Sequence, residues 1–379
     1  MPHDPTADQR FFQTTTRDFL ADTMPVSTVR ALGEAGTGFD RHWWRRGAEL
    51  GWTAMLVPES LGGGTISGRP MTELALIATE LGRACAPGPF VTTNAVLAGL
   101  ASAASAHSEA VTAVLAGTEV ATWAIYEPGR GFPPLNIDPM GTRAAPDGAG
   151  YRLTGVKDRV ESADQADLFL VTASGPQGPV QVLVRADAPG VTVTPGWTLD
   201  LVRRTARVTF DDVAITADAV VHAGDDTAPA VRAQALTAAT LTAAEMVGAT
   251  DRALDATLGW LSDRYTFGRP LSSYQALKHR MADNKTWLEA CRATSTAAAA
   301  AWDDAAPATE ETVSIAKSYV GAKTPVITQD CVQLHGGIGV TWEHDLHLYL
   351  RRITLGRALY GTPEEHHRHI TDLLDPAAA

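Results

Sequence analysis

Two stretches of this chain place side chains and glycines at spacings that a ligand could use. One is Cys331-Val-Gln-Leu-His-Gly-Gly-Ile-Gly-Val-Thr-Trp-Glu-His-Asp, where a helical pattern ends at Gly336-Gly337. Glycine stops a helix and leaves backbone N–H groups open to close approach. A helix–turn–helix without a ligand carries the same mark, so the glycines alone do not separate the two readings. The other is Arg264-Tyr-Thr-Phe-Gly-Arg-Pro-Leu-Ser-Ser-Tyr-Gln275, about 60 residues upstream. Two histidine pairs, His344/His347 and His366/His369, have the i, i+3 spacing that can hold a metal. Neither matches His-Glu-x-x-His, and wet helix faces often carry such pairs, so no metal is expected. Gly62-Gly63-Gly64 lacks the Lys-Ser/Thr of a phosphate loop and reads as a turn.

Three kinds of texture must position these residues. Up to about residue 118 the pattern is helical: Phe11, Phe12, Phe19 and Leu20 begin one amphipathic run, and Trp43, Trp44, Leu50 and Trp52 mark another. Thr72 through Gly82 reads as a further helix with a threonine cap and a glycine stop. From 119 to 225 short β-branched runs alternate with Gly, Pro and Asp, as at 151–155, 168–172, 180–184, 191–193 and 207–213, which predicts a small β-domain. From 226 to 379 four long helical segments (roughly 229–264, 272–302, 309–334 and 343–373) predict a bundle. The expected fold class is therefore α+β, with domains at 1–118, 119–225 and 226–379.

Composition narrows the class of function. At 379 residues the chain has room for two or three domains. A net charge of −12 argues against nucleic acid as a partner. Cys85, Cys291 and Cys331 are scattered, without metal or disulfide spacing, which suits a reducing cytoplasm. The start Met-Pro-His-Asp lacks a basic and then apolar leader, and no apolar run reaches membrane length, so neither secretion nor a membrane is expected.

Together the Arg264–Gln275 and Gln333–Gly337 stretches resemble the C-terminal domain of the acyl-CoA dehydrogenase family. Gly51-Trp52, followed by Val57-Pro58-Glu59 and then Gly62-Gly63, resembles its N-terminal domain. The family layout is a helical domain, a β-domain and a C-terminal four-helix bundle. The resemblance implies that Arg264, Phe267, Gln275, Gln333, Gly336 and Gly337 hold the diphosphate and adenosine end of FAD, and that this FAD belongs to a neighbouring subunit. A diphosphate suits a guanidinium fork and unblocked backbone donors. His335 would then pack beside the nucleotide.

The pieces that carry flavin-ring chemistry in the family are altered here. Where the family has Thr-Glu-Pro, this chain has Tyr126-Glu127-Pro128, continuing to Pro133-Pro134. Where it has Lys-x-Trp-Ile-Thr, this chain keeps Lys157 alone and places Glu161 at the threonine. A carboxylate there opposes electron density on a reduced flavin. The catalytic glutamate before Gly-Thr is replaced by Tyr360, a poor base near neutral pH. The alternative helix position is Ala238. Glu245, seven residues on, lies on nearly the same face; it is a weak base candidate, with a helix ion pair to an arginine such as Arg252 as the plainer reading. Glu364 and Glu365 follow a helix-starting proline and read as capping carboxylates.

The resemblance thus implies an FAD-dependent acyl-CoA dehydrogenase that acts by α,β-dehydrogenation of an acyl-CoA thioester. The leading expectation is a subunit of a heteromeric α2β2 enzyme that donates the FAD contacts to a second acyl-CoA dehydrogenase-like chain and lacks the base. Related two-gene enzymes act on steroid and other bulky acyl-CoA thioesters. Two alternatives remain. One is a homotetrameric flavoenzyme, either a dehydrogenase using Glu245 or Glu161 or a flavin monooxygenase. The other is a purely structural partner.

Overall fold

The computed structural model describes residues 4–132 and 140–375; Met1–His3 and the Pro133-Pro134 end of the segment above lie outside it. Six helices come first: α1 (Ala7–Thr23), α2 (Val26–Ala35), α3 (Arg41–Glu49), α4 (Pro70–Ala84), α5 (Phe90–Leu100) and α6 (Ser108–Leu115). Local signals set several ends. Thr6 and Gln9 form a capping box on α1, and Asp40 accepts from Trp43 N at the start of α3. Trp43, Trp44 and Trp52 meet in the core, whereas Phe11 faces solvent. Gly62 closes a turn of 3-10 helix.

The expected limits of α4 are corrected. Thr72 lies inside the helix and Gly82 is not its stop. The distant Asp303 carboxylate supplies the cap, accepting from Met71 N at 2.7 Å and Thr72 N at 2.9 Å. Gly82 is instead a packing position, because a Cβ there would lie 2.0 Å from Glu245 O. Only tertiary structure reveals either role.

Eight strands follow: β1 (Ala121–Ala124), β2 (Arg143–Asp147), β3 (Gly150–Glu161), β4 (Leu168–Gly175), β5 (Gly178–Arg185), β6 (Val191–Pro195), β7 (Thr205–Ile215) and β8 (Val220–Ala223). They form one sheet in the order β6-β7-β3-β2-β4-β5-β8, with β1 pairing parallel to β4. The short strands β1, β2 and β8 carry too little alternation to stand out in sequence. β3 is irregular, with a register shift between Lys157 and Val160 and Arg159 at φ +49°. Bulges of this kind re-aim side chains, and Lys157 and Glu161 both end buried.

The C-terminal helices are α7 (Thr227–Asp263), α8 (Gln275–Asp303), α9 (Thr309–His335), α10 (Leu346–Ala358) and α11 (Pro363–Leu374). The expected fourth segment is therefore two helices. Leu359–Thr362 breaks it, with Tyr360 at φ +52° and Gly361 at φ +96°. Buried Lys317 holds the break by donating to Gly361 O at 2.7 Å and Gly356 O at 3.0 Å. Thr362 and Glu365 then cap α11. A small hairpin of β9 (Tyr265–Thr266) and β10 (Arg269–Pro270) joins α7 to α8. Among the described residues, no helix is long and apolar enough to cross a membrane.

Candidate functional site

The break between α10 and α11 places Tyr360 at a buried centre where three parts of the chain meet. Its N–H donates to the Tyr126 hydroxyl at 2.5 Å, and its carbonyl faces His366 Nε2 at 3.0 Å. Its ring stacks on Trp123, with centroids 6.4 Å apart and planes 6° apart, and Phe132 closes the edge at 5.9 Å. Tyr126 lies 5.1 Å from Phe132. All four rings are at most 4% exposed.

From the Tyr360 hydroxyl a chain of charge runs through the interior. The hydroxyl donates to Glu161 Oε1 at 2.5 Å, and Arg203 Nε donates to Glu161 Oε2 at 2.5 Å. Arg203 Nη1 continues to Glu245 Oε2. Arg352 Nη1 donates to Glu245 Oε1 at 2.7 Å, and Arg352 Nε to Asp200 Oδ2 at 2.5 Å. Asp200 Oδ1 takes two backbone donors, Val202 N and Arg203 N, both at 2.9 Å. Arg352 also donates to Ala86 O and Cys85 O, behind the end of α4. Three carboxylates thus face two guanidiniums, and the phenol and backbone N–H groups satisfy the excess acceptors.

This arrangement fixes the chemistry available. Burial pushes the Tyr360 phenol well above its ordinary pKa, and the Glu161 carboxylate adds to the shift, so the phenol stays protonated near neutral pH. Burial opposes the Asp200 charge, but Arg352 and the two backbone donors hold its carboxyl below the usual range. Glu245 is engaged on both oxygens. The expected pairing of Glu245 with Arg252 is corrected: Arg203 and Arg352 are its partners, because this face of α7 meets α10 and the loop before β7. Arg252 instead lines a separate cleft with Arg17, Arg83 and Tyr349. Ala238 lies fully buried on α7.

The retained pieces of the same region also serve a buried pair. Lys157 Nζ donates to Glu127 Oε1 at 3.0 Å, and Gly141 N and Thr142 N donate to the same carboxylate at 2.7 and 2.8 Å. Burial opposes the Glu127 charge, yet Lys157 and these donors hold its carboxyl down at about 2. Burial lowers Lys157 to about 8 despite that partner.

Whether these residues fit a flavin ring can be tested directly. Tyr126, Glu161 and Tyr360, the positions that the resemblance gives to the ring and the base, do converge. However, among the described residues Tyr360 is buried between Trp123, Tyr126 and Phe132, and Glu161 is already committed to Arg203. The ring does not fit this centre.

The second set of residues lies at the surface. Arg264 is exposed beside Trp260, with its guanidinium 5.9 Å from the indole centroid. Phe267, at the hairpin tip, is 94% exposed and held at φ +52°. Gln275 opens α8, and Gln333 lies in the last turn of α9; both are exposed. Gln333 also lines a cleft of about 530 Å³ between α8 and α9, with Arg280, Asn284, Trp287 and Asp330. Gly336 adopts φ +66°, and a Cβ added at Gly336 or Gly337 would meet nothing within 4 Å among the described residues. Open backbone, a guanidinium and two amides suit a diphosphate. His335 packs on Trp260 at 5.3 Å, with Nδ1 2.8 Å from Cys331 O.

The remaining candidates serve structure. His344 meets His335, and His347 stacks on Trp342. His366 faces Ser314 and Tyr360, while His369 lies 3.6 Å from Glu310. Among the described residues, no three His, Cys, Asp or Glu side chains gather as metal ligands. Glu365 completes its capping box and accepts from Phe132 N, and Glu364 pairs with Arg357. Sequence reasoning missed Trp123, Asp200, Arg203 and Arg352. The only signal was two Arg-Arg pairs, each following apolar residues: Leu201-Val-Arg-Arg and Leu348-Tyr-Leu-Arg-Arg.

Comparison with known proteins agrees with this layout. Residues 6–110 match the family model described as acyl-CoA dehydrogenase, N-terminal domain, and residues 230–374 match that of the C-terminal domain. Acyl-CoA dehydrogenase IpdE2 of Mycolicibacterium smegmatis is 31% identical over 90% of this chain and 91% of its own. A solved steroid ACAD, a variant of Tcur3481-Tcur3483, superposes with TM-score 0.85 at 29% identity, covering 98% of both chains. The ChsE4-ChsE5 complex from Mycobacterium tuberculosis does so with TM-score 0.85 at 26% identity, again covering 98% of both.

Proposed function

This chain belongs to the acyl-CoA dehydrogenase family, oxidoreductases acting on CH–CH groups of acyl-CoA, and from that premise we propose that it is the FAD-donating subunit of a heteromeric enzyme. A second acyl-CoA dehydrogenase-like chain would supply the flavin-ring pocket and the carboxylate base. The observation that carries this reading is the filled centre at Tyr360, set against the open surface from Arg264 to Gly337. FAD, when bound in the assembly, accepts the hydride that leaves Cβ of the thioester. This chain's part would be to hold the other end of that cofactor. Arg264 offers a planar fork to the diphosphate, Gln275 and Gln333 offer amides, and Gly336-Gly337 let backbone approach without a side chain between.

Both alternative bases are bound to arginine. Glu161 and Glu245 share Arg203, and Glu245 also takes Arg352. A general base needs a free oxygen within reach of the substrate proton. That argues against a self-sufficient dehydrogenase. A purely structural partner has no need of an open diphosphate surface. The steroid enzyme and the two-chain complex among the similar structures favour a bulky acyl thioester and an unlike partner.

The test is Arg264→Ala in the co-expressed assembly. The Arg264 side chain is exposed, so the variant should fold as wild type while the assembly loses most of its FAD. Full flavin occupancy in a correctly folded Arg264→Ala assembly would count against the role assigned to this surface.

A further inference from the structure

A cleft of about 390 Å³ lies where the end of α1 and the start of α2 meet the last turn of α4, with α7 and α10 adding Arg252 and Tyr349. It shares no residue with the Tyr360 centre or with the Arg264–Gly337 surface. Cavities of this size hold small ligands. One side is apolar, formed by Leu20, Met24, Val26 and Ala84, and three guanidiniums line the rest: Arg17, Arg83 and Arg252.

Two of those three cations are neutralised within the chain. Arg17 forks onto Glu80, with Nε 2.9 Å from Oε2 and Nη2 2.8 Å from Oε1. Arg83 pairs with Asp251 and, at 3.1 Å, with Asp255, while Asp251 also takes Arg292 at 3.0 Å. Asp345, a further carboxylate near Tyr349, belongs to Arg30. Arg252 differs: it is exposed and, among the described residues, pairs with no carboxylate. It stands beside the Tyr349 hydroxyl. Burial pushes that phenol up against the opposing pull of Arg252, so it keeps its proton and can donate. The cleft therefore offers one uncompensated cation and one neutral donor at the edge of an apolar wall. A carboxylate takes a hydrogen bond from each, and its single negative charge balances Arg252.

We propose that this cleft binds an amphipathic monocarboxylate, its head on Arg252 and Tyr349 and its apolar body against Leu20, Met24 and Val26. The site is separate from the nucleotide surface and does not depend on how FAD is shared.

The test is calorimetric titration of octanoate into the purified chain, with octanamide as its uncharged counterpart. Octanoate should bind saturably with a Kd on the order of 1 mM or tighter, the affinity expected of a ligand of this size. Arg252→Gln should weaken binding by about 10-fold or more, and octanamide should bind the wild type about 10-fold or more weakly as well. Ala21→Trp, which sets a large side chain on an exposed part of the lining, should abolish binding. Both substituted positions are exposed, so both variants should melt as wild type. Arg368→Gln removes an exposed cation outside the cleft and should leave the Kd within about 2-fold of wild type. Absence of saturable binding overturns the proposal, as does octanoate binding that Arg252→Gln and Ala21→Trp both leave unchanged. Equal affinity for octanamide overturns it too, since the charge on Arg252 then plays no part. None of these results touches the shared-FAD reading, which is judged by flavin occupancy.

Discussion

Arg203 joins two carboxylates that lie far apart in sequence, Glu161 and Glu245, at a position where each is almost wholly buried. Removing one partner of such a chain leaves charge buried without compensation. Arg203→Met is therefore expected to destabilise the fold by about 3–5 kcal/mol, read from the midpoint of urea unfolding. A change below about 1 kcal/mol would mean that water reaches the centre and screens the charges. Glu245→Gln discriminates further: an essential base would show lost turnover at unchanged stability, whereas a member of the ion chain shows lost stability. At this scale the sequence was half legible. Tyr360, Glu161 and Glu245 stood out because the family has other residues at or near those places. Arg203, Arg352 and Asp200 did not, because no local pattern marks an arginine destined for the interior. Their pairing is set by how β3, α7, α10 and the loop before β7 come together.

At the scale of elements, the irregular strand β3 and the break after α10 together build the closed centre. The bulge after Lys157 leaves that lysine facing Glu127, and the pair is a pH-sensitive tie between the strand and the segment after β1. Because the Glu127 carboxyl is held at about 2 in the fold, below its ordinary value, its contribution is full above roughly pH 4.5. It is lost as pH falls from there towards about 2. Glu127→Gln should thus be less stable than wild type at about pH 7, with the gap narrowing on acidification through that window. A gap that stays constant from about pH 7 to 3 would contradict the assignment. The helical stretches and the longer strands were visible from periodicity. The ends were not: α4 takes its cap from Asp303 on another helix, and the apparent fourth helix is cut by a turn that Lys317 stabilises from α9.

For the whole molecule, helices at both ends and a sheet between them could be read from the sequence, and the family motifs then supplied the layout. What could not be read was the contrast between a sealed interior and an open surface. That contrast depends on Trp123, Tyr126, Phe132 and Tyr360 meeting across the fold, and on Gly336 and Gly337 being left open by the described residues around them. It is also the reason to expect shared rather than private flavin. The most direct test is the visible absorbance spectrum of this chain purified alone and then co-purified with its partner chain. A colourless protein alone and a yellow complex with less than one FAD per chain are expected. One tightly bound FAD per chain in the protein alone would contradict it, because the ring would then need the space that Tyr360 fills.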